Sequence, residues 1–81
     1  MSPMETIVRE ARAHRTVMLR ARERDGSVEP REVEPYSLRD GGALLYCFCL
    51  KRNDTRCFRV ERIIAAAPTG RTFTPRWPVE L

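Results

Sequence analysis

Apolar residues recur at helical spacing in only one place, the N-terminus. Met4, Ile7, Val8 and Ala11 fall on one face of a helix, with Arg9, Arg12 and Arg15 mostly away from it. Ser2-Pro3-Met4-Glu5 supplies the start: Ser2 can cap, Pro3 takes the first helical position and Glu5 completes a capping box. The pattern predicts a helix over residues 3–15. At Thr16 the period changes to two. Val17, Leu19 and Ala21 face one side and Met18, Arg20 and Arg22 the other, which predicts a strand with one face on a core. Asp25-Gly26 is a strong turn signal.

The next segment, Ser27 to Pro35, has Val28 and Val33 as its apolar points. Pro30 and Pro35 limit its pairing, so it reads as an edge strand or an irregular arm. Tyr36, Ser37 and Leu38 follow, and Asp40-Gly41-Gly42 makes a turn. Ala43 to Leu50 is apolar throughout, which predicts a central strand covered on both faces. Asn53-Asp54 favours a hairpin turn, because both residues tolerate positive φ. Thr55 to Val60 then returns antiparallel. Glu61 and Arg62 mark a bend before a last strand at Ile63 to Ala67, and Pro68 to Gly70 reads as a turn. The end of the chain, with Phe73 and Trp77 beside two prolines, reads as extended. One helix and about five short sequential strands predict a mainly β domain, an antiparallel sheet closed as a small barrel. The barrel would span about residues 16–75, with a tail over 76–81.

Eighty-one residues suffice for one domain with a thin core. With 42% hydrophobic and 32% charged residues, the composition is that of a globular domain rather than a disordered one. No apolar run approaches the ~20 residues of a membrane span, and the charged N-terminus lacks the apolar core of a secretory signal. The net charge is +4, with fourteen arginines against one lysine, a balance compatible with nucleic acid. Three cysteines, an odd number, point to reduced thiols in a cytoplasm. A two- or four-residue hairpin turn would set Cys57 on the face opposite Cys47 and Cys49. A three-residue loop would reverse this. With His14 the only histidine, no fourth zinc ligand is evident, and neither a metal nor another cofactor is expected. Neither a triad spacing nor a Gly-rich phosphate loop occurs, so a non-enzymatic role is expected.

The distinctive chemistry is the trio Arg56, Arg59 and Arg62. Guanidinium groups stay charged and bind phosphate through paired hydrogen bonds. In a straight strand Arg56 and Arg59 would point to opposite faces, as would Arg59 and Arg62. A bend near Glu61 could bring two of them together. Pairing with Glu61, Glu34 or Asp54 would instead make them structural. Tyr36 has the type of side chain that stacks on bases, although packing at a barrel rim suits it as well.

The order of elements resembles the WYL domain of bacterial regulators. The matching pieces are Val17 to Arg24, Asp25-Gly26, Arg31-Glu32-Val33-Glu34-Pro35, Leu38, Leu45 to Lys51, and Arg56-Cys57-Phe58-Arg59-Val60-Glu61-Arg62-Ile63. Together they cover about residues 5–75. At the position of the family's namesake triplet this chain has Ala43-Leu44-Leu45, and only the last residue agrees. An aromatic usual late in the first strand is replaced by Ala21. The resemblance implies an Sm-like, SH3-type five-stranded barrel behind an N-terminal helix. It also implies a sensor that binds a ligand, in some cases nucleic acid, and so changes a transcription regulator's activity. Carried over, Arg56, Arg59 and Arg62 become the ligand-binding candidates, with Tyr36 and Ser37 as weaker neighbours. The expected ligand is a nucleotide or single-stranded nucleic acid. No DNA-binding domain is evident in the sequence itself, so a standalone accessory protein, a mobile-element product and an excised domain all stay open. The alternative is a protein-interaction or dimerisation module, packing the Ala43–Leu50 strand and the Phe73–Trp77 tail on another chain.

Overall fold

The computed structural model describes residues 1–81. Helix α1 spans Pro3–Arg12. Its capping box is complete: the Ser2 hydroxyl accepts from the Glu5 amide at 3.2 Å, and the Glu5 carboxylate accepts from the Ser2 amide at 2.9 Å. The helix stops three residues before its expected end. His14 turns the chain with φ of 55°, and Arg15 already belongs to the first strand.

Five antiparallel strands follow: β1 Arg15–Arg22, β2 Val28–Arg39, β3 Leu44–Cys49, β4 Asp54–Arg59 and β5 Ile63–Thr72. Their order in the sheet is β4-β3-β2-β1-β5. The expected mainly β architecture, one helix and then a five-stranded antiparallel sheet, is what forms. Closure is not: β4 and β5 do not pair, so the barrel-like curl keeps two edges.

The central strand is β2, not the apolar segment at Ala43–Leu50, which supplies β3 one place nearer the edge. The register explains how β2 tolerates its prolines. Residues 28–33 pair with β1, residues 33–39 pair with β3, and only Val33 is paired on both sides. Pro30 and Pro35 therefore lie in halves paired on one side, where a missing amide need not remove a ladder bond. A register shift between Pro35 and Ser37 bends the strand at Tyr36.

The hairpin of β3 and β4 pairs Leu44 with Arg59 through to Cys49 with Asp54. Its loop is Leu50 to Asn53, and Asn53 takes φ of 54°. This four-residue loop lies earlier than the Asn53-Asp54 turn expected from the sequence, since Asp54 already pairs in β4, but its even length keeps the parity. Cys57 stands opposite Tyr46 on an exposed face, and Cys47 and Cys49 are buried on the other. The turn expected at Pro68 to Gly70 is a bulged stretch inside β5. Between the Val17–Pro68 and Arg15–Thr72 pairs, β5 spends two more residues than β1.

The core is small. Ile7 from α1 packs with Val17, Leu19, Ala21, Val33, Leu45, Cys47, Cys49 and Phe58. A buried carboxylate fastens the helix to β1: Glu10 accepts from Arg15 at 2.9 and 3.3 Å and from Arg9 at 2.9 Å. The last residues wrap back over the sheet. Glu80 donates its amide to the Tyr36 carbonyl at 2.7 Å, and Arg12 donates to the Leu81 carbonyl at 2.9 Å.

Candidate functional site

The open seam of the sheet holds the arginine cleft. After Arg59 the chain takes one 3-10 turn at Val60–Arg62, and this turn is the expected bend. Arg56, Arg59 and Arg62 all line a single cleft of about 260 Å³ despite their strand parity. The curl of the sheet brings the end of β1 against β4, so Arg22, Glu23 and Arg24 complete the lining beside Ala21, Leu44, Cys57 and Phe58. Five guanidinium groups thus share one cleft with one carboxylate.

These arginines are not equivalent. Arg56 lies over the Phe58 ring, 4.6 Å from its centroid, and donates to the Glu23 carboxylate. That ion pair spans the seam where no backbone ladder does. Arg31 approaches the other Glu23 oxygen, at 3.8 Å. One terminal nitrogen of Arg56, Nη1, and Nε of Arg31 are buried without a hydrogen-bond partner. Arg59 has only a loose, exposed pairing with Glu61 at 3.9 Å, of a kind worth about 0–1 kcal/mol. Arg22, Arg24 and Arg62 are exposed, and no ion pair neutralises them. Sequence reasoning missed Arg22, Glu23 and Arg24. The signal was the run Arg20-x-Arg22-Glu23-Arg24 leading into the Asp25-Gly26 turn, whose charge density is higher than a solvated strand end requires.

Tyr36 and Ser37 are not part of this cleft. Tyr36 is fully buried, and Ser37 nearly so. The Tyr36 hydroxyl donates to Glu34 at 2.7 Å and accepts the Arg76 amide at 3.0 Å. Burial, with Glu34 alongside, pushes the phenol up to about 12. Trp77 covers its ring at a centroid distance of 4.6 Å and also meets Tyr46 at 5.9 Å and Phe48 at 6.4 Å. Arg76 stacks on Phe48 at 3.7 Å and pairs with the buried carboxylate of Glu34 at 3.0 Å. The tail and β3, the surfaces nominated for a protein partner, are thereby packed against each other. Tyr36 is a packing residue with no face open to a base.

Other features are quieter. Burial raises the Cys47 thiol well above its ordinary value, consistent with an inert core residue. No three His, Cys, Asp or Glu residues group as a metal site. A shallow apolar groove of about 710 Å³ runs along α1 between Met4, Val8, Leu38 and Val60. No helix is long and apolar enough to cross a membrane.

A search of the curated proteins finds no match. Among solved structures, the fold is similar to proteasome accessory factor B/C (PafBC) of Arthrobacter aurescens. The TM-score is 0.76 at 23% sequence identity, over 93% of this chain and 13% of that one. The chain thus spans only a small part of that longer protein. The namesake positions also find their places. Leu45, the residue that agrees, is buried in the core; Leu44 lines the arginine cleft; and Ala43 lies exposed beside Arg59. Residues 4–68 match the family model of the WYL domain, and the chain belongs to that family.

Proposed function

We propose that this domain is a non-enzymatic ligand-sensing module of a transcription-regulation system, and that its effector is a phosphate-bearing strand held by the arginine cleft. Membership of the WYL family supports the regulatory role. The observation that carries the ligand class is five arginines, from β1, the turn after it, β4 and the turn after β4, lining one cleft with a single carboxylate.

Two further features favour a phosphodiester backbone over an enclosed metabolite. Small-molecule pockets typically hold ~300–1,000 Å³ and are mostly apolar. This cleft is smaller and half of its lining residues are arginine, suited to part of a longer ligand. It also lacks a stacking platform. Phe58 is buried beneath Arg56, Tyr36 beneath Trp77, and positions 43 and 44 carry no aromatic ring. Base identity is then read weakly, and phosphate contacts supply most of the affinity.

Fluorescence anisotropy with labelled single-stranded DNA and RNA, beside duplex controls, tests this. Three phosphate contacts give a slope near −0.7 per contact, so affinity should fall about 20-fold between about 50 and 200 mM salt. Reversing Arg59 and Arg62 to glutamate should abolish binding and leave the melting temperature within a few degrees of wild type. Unchanged affinity in a folded double variant overturns the assignment, as does an absence of binding at low salt.

A further inference from the structure

The arginine cleft already holds an anion of its own. The Glu23 carboxylate binds Arg56 from inside the lining and stands 3.8 Å from Arg31. We propose, resting on the cleft as an anion site, that Glu23 is a built-in competitor that an incoming phosphate must displace from Arg56.

Three observations carry this. The first is incomplete satisfaction. A carboxylate has two oxygens; one is committed to Arg56, and the other is too far from Arg31 for a hydrogen bond. Arg56 Nη1 and Arg31 Nε stay buried and unpartnered as a result. A phosphate offers more oxygens to the same two forks, so exchange replaces an under-satisfied pair with a better one. The second is that the exchange asks only one side chain to move. The Glu23 backbone is fixed by the turn: its amide donates to the Ser27 carbonyl at 2.8 Å, and its carbonyl accepts the Gly26 amide at 3.0 Å. Swinging the carboxylate away therefore disturbs no backbone pairing. The third is position. Glu23 and Arg24 form the shared wall between the cleft and a second depression of about 360 Å³, lined by Asp25, Ser27, Glu29 and Arg31, where an Arg31 Nη already donates to Glu29 at 3.3 Å and Nε is left free. Displacing the Glu23 side chain would join the two, adding Arg31 to the surface a strand could follow.

The competitor predicts an affinity gain on its removal. If Glu23 instead held Arg56 ready for the ligand, removal would weaken binding. Labelled oligothymidylate is titrated into wild type, Glu23→Gln, Glu23→Asp and Glu61→Gln. Glu61→Gln serves as the charge control because it deletes the same charge beside Arg59 without freeing Arg56. Glu23→Gln should bind about tenfold tighter, the order set by one charge-assisted hydrogen bond. Glu61→Gln should gain less than about threefold, as expected of an exposed pair. In an Arg56→Met background the Glu23→Gln gain should vanish. Glu23→Asp keeps the charge but shortens the reach to Arg56. It should also gain affinity, and it provides the reading if the glutamine variant is unfolded. Equal or weaker binding by the Glu23 variants, with wild type binding normally, overturns the competitor and leaves the cleft assignment standing. An equal gain in Glu61→Gln does the same. Failure of every variant and of wild type to bind overturns both.

Discussion

Replacing Trp77 tests whether the C-terminal segment is part of the fold or a loose wrapping. The indole contacts three rings, at 4.6 Å from Tyr36, 5.9 Å from Tyr46 and 6.4 Å from Phe48. Aromatic pairs contribute about 0.5–1.5 kcal/mol each beyond area burial. Truncating a core Phe or Trp to alanine costs about 3–5 kcal/mol. Trp77 is half-buried, which places Trp77→Ala near the lower bound, at about 3 kcal/mol. The indole nitrogen, buried without an acceptor at a cost of about 1–3 kcal/mol, is the second reason the loss lies at that lower bound and not higher in the range. Trp77→Phe keeps a ring over Tyr36 and removes that donor, so it should stay within about 1 kcal/mol of wild type. For a domain of this size, 3 kcal/mol corresponds to a fall of about 12–24 °C in Tm. The assay is thermal and urea unfolding followed by far-ultraviolet circular dichroism, since Trp77 is the only tryptophan. A Trp77→Ala Tm within about 2 °C of wild type refutes the tail as a structural element. Equal losses in the alanine and phenylalanine variants refute the accounting for the unpaired indole.

Glu10 gives a pH-dependent test. Hydrogen bonding from Arg15, with Arg9 helping, holds its carboxyl below the ordinary 4.5, so its stabilisation is present above that pH and is lost as pH falls through the folded value. Glu10→Gln should cost about 2 kcal/mol at neutral pH and flatten the loss of stability below about pH 4.5, with Glu32, lowered through Arg71, and Glu5 and Asp25, lowered through Ser2 and Ser27, contributing to the acid limb that is left; an acid limb as steep as wild type counts against it. Thiol titration reads the sheet parity. One cysteine should react with a disulfide reagent in the native protein and three in urea, and Cys57→Ser should abolish the native reaction; two or more native reactive thiols would place Cys47 or Cys49 on an open surface.

The helix start was legible because a capping box is local: Ser2, Pro3 and Glu5 specify it within four residues. The hairpin parity was legible because any even loop length preserves it. The helix end was not, since Arg15 is drawn into β1 by pairing with Thr72 and by Glu10. The rank of β2 was hidden because its prolines do mark one-sided pairing, and a strand one-sided in each half can still lie at the centre of a bent sheet. The same bend put Tyr36 and Ser37 under the tail rather than beside the arginines. Arg56, Arg59 and Arg62 could be nominated from a local run, but Arg22, Glu23 and Arg24 join them only through the curl of the sheet. Contacts between residues more than thirty positions apart leave no periodic trace.

The division of β2 also orders assembly. Each half forms a hairpin with its sequence neighbour, β1 on one side and β3 on the other, and β4 adds through a four-residue loop. These closures are short-range and entropically inexpensive. The pairing of β5 with β1 is different in kind: Arg15 meets Thr72 across most of the chain. Three neighbouring hairpins can therefore zip from local contacts, and docking of β5 is the long-range step that completes the domain. The entropy of closing that long loop therefore falls on the docking of β5, which makes the β1–β5 ladder the step that sets the pace of folding.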